Sequence, residues 1–474
     1  MDLQQQVVDE TGAVHVLTQR IGVGGQGEVW LVSGGRRIVK LLDPGRDAEE
    51  MRQRFKAVRR LDLRGLDVAR PLAVLRPPHV GYVADFLGDM APIKTLREAP
   101  RSGLVQWHID TGGLRRRLRL LAHAGEVLRD LHARGITYAD VSDRNVFVSA
   151  PVHAHEAWLI DLDNLSNESS LRNAIYTPGY GAPEVVARNS GNMPHTDAWS
   201  FGVLVWQVLT LGHPFVGDVV NDGDPDLEQQ AFAGGLSWVR HSTDDSNRCS
   251  TGLPPEGVLG AKLLEVARQA FEAGLRDRAV RPSVSKWVER LHIAADQTVL
   301  CTSCRGTFFV TAESCPWCSA PRPEVLPVRI KRWQPEHELM SNMQPLLRGG
   351  SSPADALHHG RKMMAGMRPL HQLPLTVEGL TLPCRITLPD RLAGERDGHS
   401  ARDVHVEIKL VDRNRGISVR AMPGFDAWVA PVRQDGAKPE SVTGRGRIVP
   451  ATGWMLFFDE PGRAQRVALL GGDS

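Results

Sequence analysis

The chain lacks any stretch approaching the roughly 18 consecutive apolar residues that cross a bilayer. Its first residues, MDLQQQVVDETGAVHV, lack the charged start and apolar run of a secretory signal. These absences lead to the expectation of a cytoplasmic protein with no membrane partner. Cysteine is scarce, six in 474 residues, four of them in two CxxC pairs. That usage fits a metal site in a reducing compartment better than a disulfide framework, with Cys249 and Cys384 as ordinary residues. Net charge is almost absent, 57 basic against 55 acidic residues, which excludes a global field for nucleic acid or an anionic surface and leaves only local binding. No internal repeat is evident. Hydrophobic residues at 42% and charged residues at 24% describe a folded chain rather than a disordered tail, and the length calls for about two to four domains.

From residue 15 to 40, short strand-like runs (VHVLT, EVWLVS, RRIVKLL) alternate with glycines, a helical segment follows near 47–61, and further strand-like runs reach residue 87. Apolar residues then recur at helical spacing at Leu114, Leu118, Leu121, Ala124, Leu128 and Leu131, and another apolar helix is read from Trp199 to Leu211. Beyond residue 375 the runs VHVEIKLV, GISVRAM, AWVAPV, GWMLFF and RVALL predict a small all-β domain.

Several motifs carry chemistry. Ile21-Gly22-Val23-Gly24-Gly25-Gln26-Gly27-Glu28-Val29 is a GxGxxGxV loop between strands. Glycine lets backbone N–H groups approach phosphate oxygens, although glycine-rich hairpins also occur without a ligand. Lys40 ends the following strand. Further on, Asp140 and Asn145 are separated by four residues between a helix and an apolar strand, in LHARGITYADVSDRNVFV. Trp158-Leu159-Ile160-Asp161-Leu162-Asp163 is a strand ending in acids. Tyr176-Thr177-Pro178-Gly179-Tyr180-Gly181-Ala182-Pro183-Glu184 and Asp197-Ala198-Trp199-Ser200-Phe201-Gly202-Val203 complete the series, with Arg281 in DRAVRPS.

In this order and spacing, residues 15–294 resemble a eukaryotic-type (Hanks-type) bacterial Ser/Thr protein kinase. The resemblance implies a multidomain α+β chain: a bilobal protein-kinase fold over 12–294 (small lobe 12–87, large lobe 88–294), then a zinc ribbon, then a small all-β domain. It implies ATP held by Gly22, Gly24, Gly27, Val29 and Lys40, an adenine pocket over Phe147, a hinge from Asp85 to Leu87 and a small gatekeeper, Ala84. It further implies catalysis by Asp140 with Lys40, Asn145 and Asp161, Mg²⁺ or Mn²⁺ on Asn145 and Asp161, Thr177 shaping the acceptor site, and structural roles for Asp197 and for a Glu184–Arg281 ion pair. The expected function is ATP- and Mg-dependent phosphorylation of Ser/Thr residues; a nucleotide-binding pseudokinase scaffold is the alternative.

Four positions depart from the family pattern. Ala139 stands where Arg is usual, which argues against activation through a phosphorylated loop. Ser142 replaces a Lys, removing one cation from the transferring phosphate. Asp163 replaces a Gly and is read as an outward-facing loop residue in preference to a second metal ligand. No glutamate sits plainly on the inner face of the 47–61 helix, so Glu50, with Glu49 second, is the candidate partner of Lys40. An acidic DxD-like sequence is similar to that of a divergent group in tellurium-resistance-like gene clusters, which implies a von Willebrand A-type protein and a metal-dependent phosphatase as partners.

Cys301-x-x-Cys304 and Cys315-x-x-Cys318, ten residues apart, read as a tetrahedral zinc site over 297–322, with iron or a redox pair as alternatives. Arg305, Arg322, Arg329, Lys331 and Arg332 make this neighbourhood basic, but no aromatics alternate with them, and a spacer is favoured over a nucleic-acid platform. Residues 323–374 are expected to be a linker with a helix, and 375–471 the accessory β domain for targeting or regulation.

Overall fold

Inward-facing apolar positions at a spacing of two set the first sheet. In β4 (Arg37–Leu42), Val39 faces one way while Ile38, Lys40 and Leu42 face the other. The coordinates, a computed structural model, describe residues 5–24, 27–43, 47–167, 174–389, 400, 402–412, 416–432 and 438–471. They fall into two compact units, 1–295 and 296–474. No described helix is long and apolar enough to cross a membrane.

The first unit opens with β1 (Gln6–Val8), β2 (Val14–Gly24), β3 (Gly27–Val32) and β4, continued by β5 (Ala73–Val74) and β6 (Val80–Asp85) in an antiparallel sheet of order β1-β2-β3-β4-β6-β5. Helix α1 (Ala48–Arg60) packs Ala48, Met51 and Phe55, at helical spacing, on the face that carries Leu42, Val74, Tyr82 and Ala84, and also buries Val58. The other face holds Val7, Leu17, Val39, Leu75 and Val83.

After β7 (Met90–Pro92) come α2 (Leu104–Asp110) and α3 (Gly113–Ala133). All six apolar positions singled out in the α3 sequence are buried. Two-residue β8 (Ile136–Thr137), β9 (Val146–Ser149), β10 (Ala157–Leu159) and β11 (Ser166–Asn167) frame the segments between them. β9 pairs antiparallel with β7 and β10, and β8 with β11. Short α4 (Pro183–Val186) precedes α5 (Pro194–Thr210), buried on every side from Thr196 to Thr210, as expected of a helix apolar all round.

The second unit starts with a hairpin of β12 (Thr298–Leu300) and β13 (Thr307–Phe309). Two antiparallel sheets follow. One has the order β15-β14-β23-β22-β19-β20, built from β14 (Leu326–Arg332), β15 (His371–Leu375), β19 (Ala427–Pro431), β20 (Glu440–Val442), β22 (Trp454–Phe457) and β23 (Arg466–Leu470). The other has the order β16-β17-β18-β21, from β16 (Leu380–Pro383), β17 (Val404–Asp412), β18 (Gly416–Ala421) and β21 (Arg447–Val449). Val328, Ile330, Val429 and Leu456 of the first sheet share one core with Val406, Ile408, Ile417 and Val419 of the second.

The linker expected at 323–374 is corrected here. Residues 326–332 form β14, which lies between β15 and β23, so the β fold begins some fifty residues before 375. The helix expected within that stretch is present as three, Glu336–Asn342, Gln344–Arg348 and Pro353–Gly366. Leu326-Pro327-Val328-Arg329-Ile330-Lys331-Arg332 alternates apolar and basic residues, which suits a strand with one face on the core. Proline and the run of cations masked that alternation in the sequence.

Candidate functional site

The glycine loop is a hairpin between β2 and β3, with Gly22 opposite Val29, Val23 opposite Glu28 and Gly24 opposite Gly27. Gly25 and Gln26 at its tip lie outside the described residues. At Gly27 (φ +151°) a Cβ would sit 2.0 Å from Leu41 O; at Gly81 (φ +151°), 1.9 Å from Lys40 O. These two glycines let β3 and β6 close on β4 from either side, so one loop glycine serves the sheet itself.

Beneath the hairpin is a cavity of about 250 Å³. Val29, Ala84, Asp85, Leu87 and Phe147 line it, and Lys40 and Asp161 lie at its polar end. Ile21 and Ile160, which stand within the quoted motifs without an assigned role, also line it, as do Ile38, Ala69 and Tyr82, which read as ordinary strand and loop residues. The mix of an apolar wall with a few convergent polar groups is what a bound small molecule requires.

Lys40 Nζ donates to Asp161 Oδ1 and, at 2.7 Å, to Asp163 Oδ2. Two sequence expectations are overturned by this. Asp163 does not face outward; it is 6% exposed. Glu50 is exposed in the first turn of α1, about 100° around the helix from Met51, and the buried face presents Phe55 instead. Burial alone would depress the Lys40 ammonium, but Asp163 and Asp161 together outweigh it and raise it. Burial first, and then the adjacent Asp161 charge, push the Asp163 carboxyl up to about 7, against the opposing pull of Lys40.

The catalytic-loop candidates converge on Asp140. Thr177 Oγ1 donates to Asp140 Oδ1 at 2.7 Å and Asn145 Nδ2 to Asp140 Oδ2 at 2.8 Å. Burial raises the Asp140 carboxyl, helped by Asp161 and Asp197 and opposed by these hydrogen bonds. Ala139 adopts φ +72° and Asp161 φ +55°, left-handed conformations that a non-glycine residue holds only when its surroundings enforce them. For Ala139 the enforcing group is buried Asp197, whose carboxylate accepts from Ala139 N at 2.9 Å, Tyr138 N at 2.7 Å and His132 Nε2 at 2.9 Å. For Asp161, the Tyr138 hydroxyl donates to Ile160 O and Ile160 N donates to Asn145 O at 3.0 Å, fixing the acidic strand end beside the loop. Tyr138 is a contributor that no sequence pattern singles out.

Glu184 and Arg281 meet in a two-pronged pair at 2.7 and 2.8 Å, with the guanidinium 4.7 Å from the Trp199 ring centre. The pair lies in the packing of α4 and α5, and neither residue lines the cavity.

Whether a divalent cation fits is tested by the donor set. Asp161 supplies a hard carboxylate; Asn145 commits its amide nitrogen to Asp140 and leaves its oxygen; Asp163 Oδ1 is buried without a hydrogen-bond partner among the described residues. Hard oxygens in this number suit Mg²⁺. In the second unit, the sulfurs of Cys301, Cys304, Cys315 and Cys318 all lie within 4.8 Å of one another, with Cys301–Cys318 and Cys304–Cys315 at 3.6 Å. A tetrahedral ion with Zn–S bonds of about 2.3 Å separates its sulfurs by roughly 3.8 Å, so the cluster fits zinc. The Ala320 backbone N–H lowers the Cys318 thiol to about 7, whereas burial raises the thiols of Cys304 and Cys315, the latter to about 12.

Residues 115–250 match the protein kinase domain model, and residues 43–174 match that of the lipopolysaccharide kinase (Kdo/WaaP) family. Among similar proteins, the serine/threonine-protein kinase pkn2 of Myxococcus xanthus is 31% identical over 236 residues, 46% of this chain and 27% of that protein. The CBL-interacting protein kinase 4 of Oryza sativa subsp. japonica is 32% identical over 218 residues, 42% of this chain and 45% of that protein. The human mitogen-activated protein kinase kinase kinase 10 is 28% identical over 209 residues, 42% of this chain and 21% of that protein. The chain thus spans less than half the length of each of these relatives, and both family-model matches fall within the first unit.

Proposed function

We propose that the chain is an ATP- and Mg²⁺-dependent protein kinase that phosphorylates Ser or Thr, its β-rich and helical parts holding the nucleotide between them. The observation that supports it most directly is the pairing of Lys40 with Asp161 at the polar end of an apolar cavity, with the hydrogen-bonded Asp140 and Asn145 tied to that strand end through Ile160 N. In this reading Val29, Ala84, Leu87 and Phe147 hold the base, and Lys40 binds the phosphates. When bound, Mg²⁺ neutralises charge on the β- and γ-phosphates, and Asp161 and Asn145 are the residues that would hold it. Asp140 orients the acceptor hydroxyl and takes its proton as the hydroxyl oxygen bonds to the γ-phosphorus and the bond to the β-phosphate oxygen breaks. Thr177, already on Asp140 Oδ1, marks where that hydroxyl arrives.

A purified Asp140→Ala protein should bind ATP as the parent does and lose phosphate transfer by about 10²- to 10⁴-fold, read with radiolabelled ATP. Undiminished transfer would sink the assignment. One observation favours a nucleotide-binding scaffold as second reading: Ser142 is fully buried, its hydroxyl without a hydrogen-bond partner among the described residues, and it brings no charge to the position where the family pattern has a lysine. ATP binding without turnover, in Mg²⁺ or Mn²⁺, would establish that reading. The second unit we assign to targeting or regulation, with zinc on its four cysteines. The von Willebrand A-type protein and the metal-dependent phosphatase implied by the family resemblance are the partners to assay first.

A further inference from the structure

The register of the first sheet decides what can reach Lys40. Lys40 lies directly across from Tyr82, on the face that α1 covers. Its Nζ is 5.8 Å from the Tyr82 ring centre. Phe55, the most buried residue of α1, packs edge-on against that same ring at 5.1 Å. The helix therefore offers Phe55, packed on Tyr82 of β6, where a carboxylate would have to stand. Its two acids, Glu49 and Glu50, are exposed, and Glu49 is occupied by Gln53 at 2.7 Å and Arg52 at 3.4 Å.

The carboxylates that do reach Lys40 differ from each other. The Asp161 side chain is 29% exposed and lines the cavity, whereas that of Asp163, in the turn Leu162–Asn164, is 9% exposed and does not. One ammonium facing an outer and an inner acid is a division of labour: a cation entering the cavity meets Asp161 first, and Asp163 keeps hold of the lysine when it does.

We propose that Asp163 is the positioning carboxylate for Lys40, taking the place of an acid that α1 does not supply, and that Asp161 is thereby left to the divalent cation. This rests on the nucleotide site proposed above. It makes the alignment of the phosphate-binding lysine a property of the acidic turn rather than of the placement of α1. Asp163 Oδ1, buried and unpartnered among the described residues, is the atom on which the competing role, a second cation ligand, would rest.

The full chain is compared with Asp163→Asn, Asp161→Asn and Glu50→Gln variants, thermal melting being read in parallel. Steady-state kinetics with Mg·ATP and Mn²⁺ binding in the presence of a non-hydrolysable ATP analogue are measured. Loss of a charge-assisted contact predicts that Asp163→Asn lowers kcat about tenfold or more. Its KM for ATP and its Mn²⁺ affinity should stay within about threefold of the parent, a spread usual for substitutions that touch no ligand. Asp161→Asn should lose the Mn²⁺, and Glu50→Gln should match the parent throughout. Parental kcat in Asp163→Asn overturns the proposal, as does a loss of Mn²⁺ equal to that of Asp161→Asn, or a Glu50→Gln variant as slow as Asp163→Asn. Asp163→Ser is read in the same way if the amide variant does not melt as a folded protein. A parent chain that binds no nucleotide defeats the proposed function instead, so the two failures are distinct.

Discussion

The acidic site of the first unit and the four-cysteine cluster of the second are both small constellations suited to a cation, yet they are supported in opposite ways. Asp140, Asn145 and Asp161 are held by hydrogen bonds that run back to fully packed elements, through Asp197 on α5 and Tyr138 beneath the loop. Among the described residues, the fully buried cluster of the cysteine segment is Val299, Cys301, Phe308 and Cys315, two of which are the candidate ligands themselves, with Val310, Trp317 and Val325 only partly buried against it. In the first, the fold makes the site and a cation adds chemistry. In the second, the cation must make the fold, because so few apolar residues cannot offset the entropy of ordering the segment.

The sharpest way to break this contrast is to remove the ions. Structural zinc contributes on the order of 10–16 kcal/mol to small metal-folded domains at neutral pH. A strong chelator, or Cys315→Ser, should therefore release the metal and open residues 297–322 to protease, with the cuts mapped by mass spectrometry. The first unit should remain as resistant as before, with nucleotide affinity unchanged. A cysteine segment still resistant after complete metal removal would show that its few apolar contacts suffice, and the contrast would fail.

Next in size is the Glu184–Arg281 pair, an ionic contact that needs no metal. The Arg281 side chain is 3% exposed and that of Glu184 15%. Removing one partner of a buried pair strands the other charge, so Arg281→Met should cost about 3–5 kcal/mol in urea unfolding of the first unit. Burial acting alone would raise the Glu184 carboxyl, but the Arg281 hydrogen bonds and charge hold it below its ordinary 4.5. The folded form thus binds its proton less readily than the unfolded one. The pair's contribution is present in full above about pH 4.5 and drains away as pH falls through the lowered value. Arg281→Met should flatten that acid limb. An unchanged limb would mean that other carboxylates control it.

How much of this was legible beforehand depends on whether a feature is local. The CxxC pairs, the spacing of Asp140 and Asn145, and the strand ending at Asp161 are written within a few residues, because one turn or one loop fixes their geometry. The partner of Lys40 is not local: it depends on the rotation of α1, which Met51, Phe55 and Val58 set by burying themselves. The only local signal was two acids close together in sequence, because Asp161 is left-handed and Asp163 lies in the turn Leu162–Asn164, where strand alternation does not hold. Reading Asp163 only as a replaced glycine hid it. The strand at 326–332 was missed for a compositional reason, its inward Val328 and Ile330 being flanked by proline and by cations on the solvent side.

The smallest predicted effect is the most discriminating. Glu50 lies in the first turn of α1, where a carboxylate gains from the helix dipole and from little else. Glu50→Gln should therefore lower the stability of the first unit by no more than about 0.5 kcal/mol, measured by urea unfolding. For the helix acid to matter to Lys40, α1 would have to turn by about 100°, withdrawing Phe55 from Tyr82 and exposing both rings. Losing that aromatic contact and its burial would cost several kcal/mol, more than a single charge-assisted hydrogen bond returns. The balance of magnitudes thus keeps Glu50 in solvent. A Glu50→Gln protein with a stability loss well beyond 0.5 kcal/mol would show that the balance is struck differently, and that the first unit rearranges around the lysine.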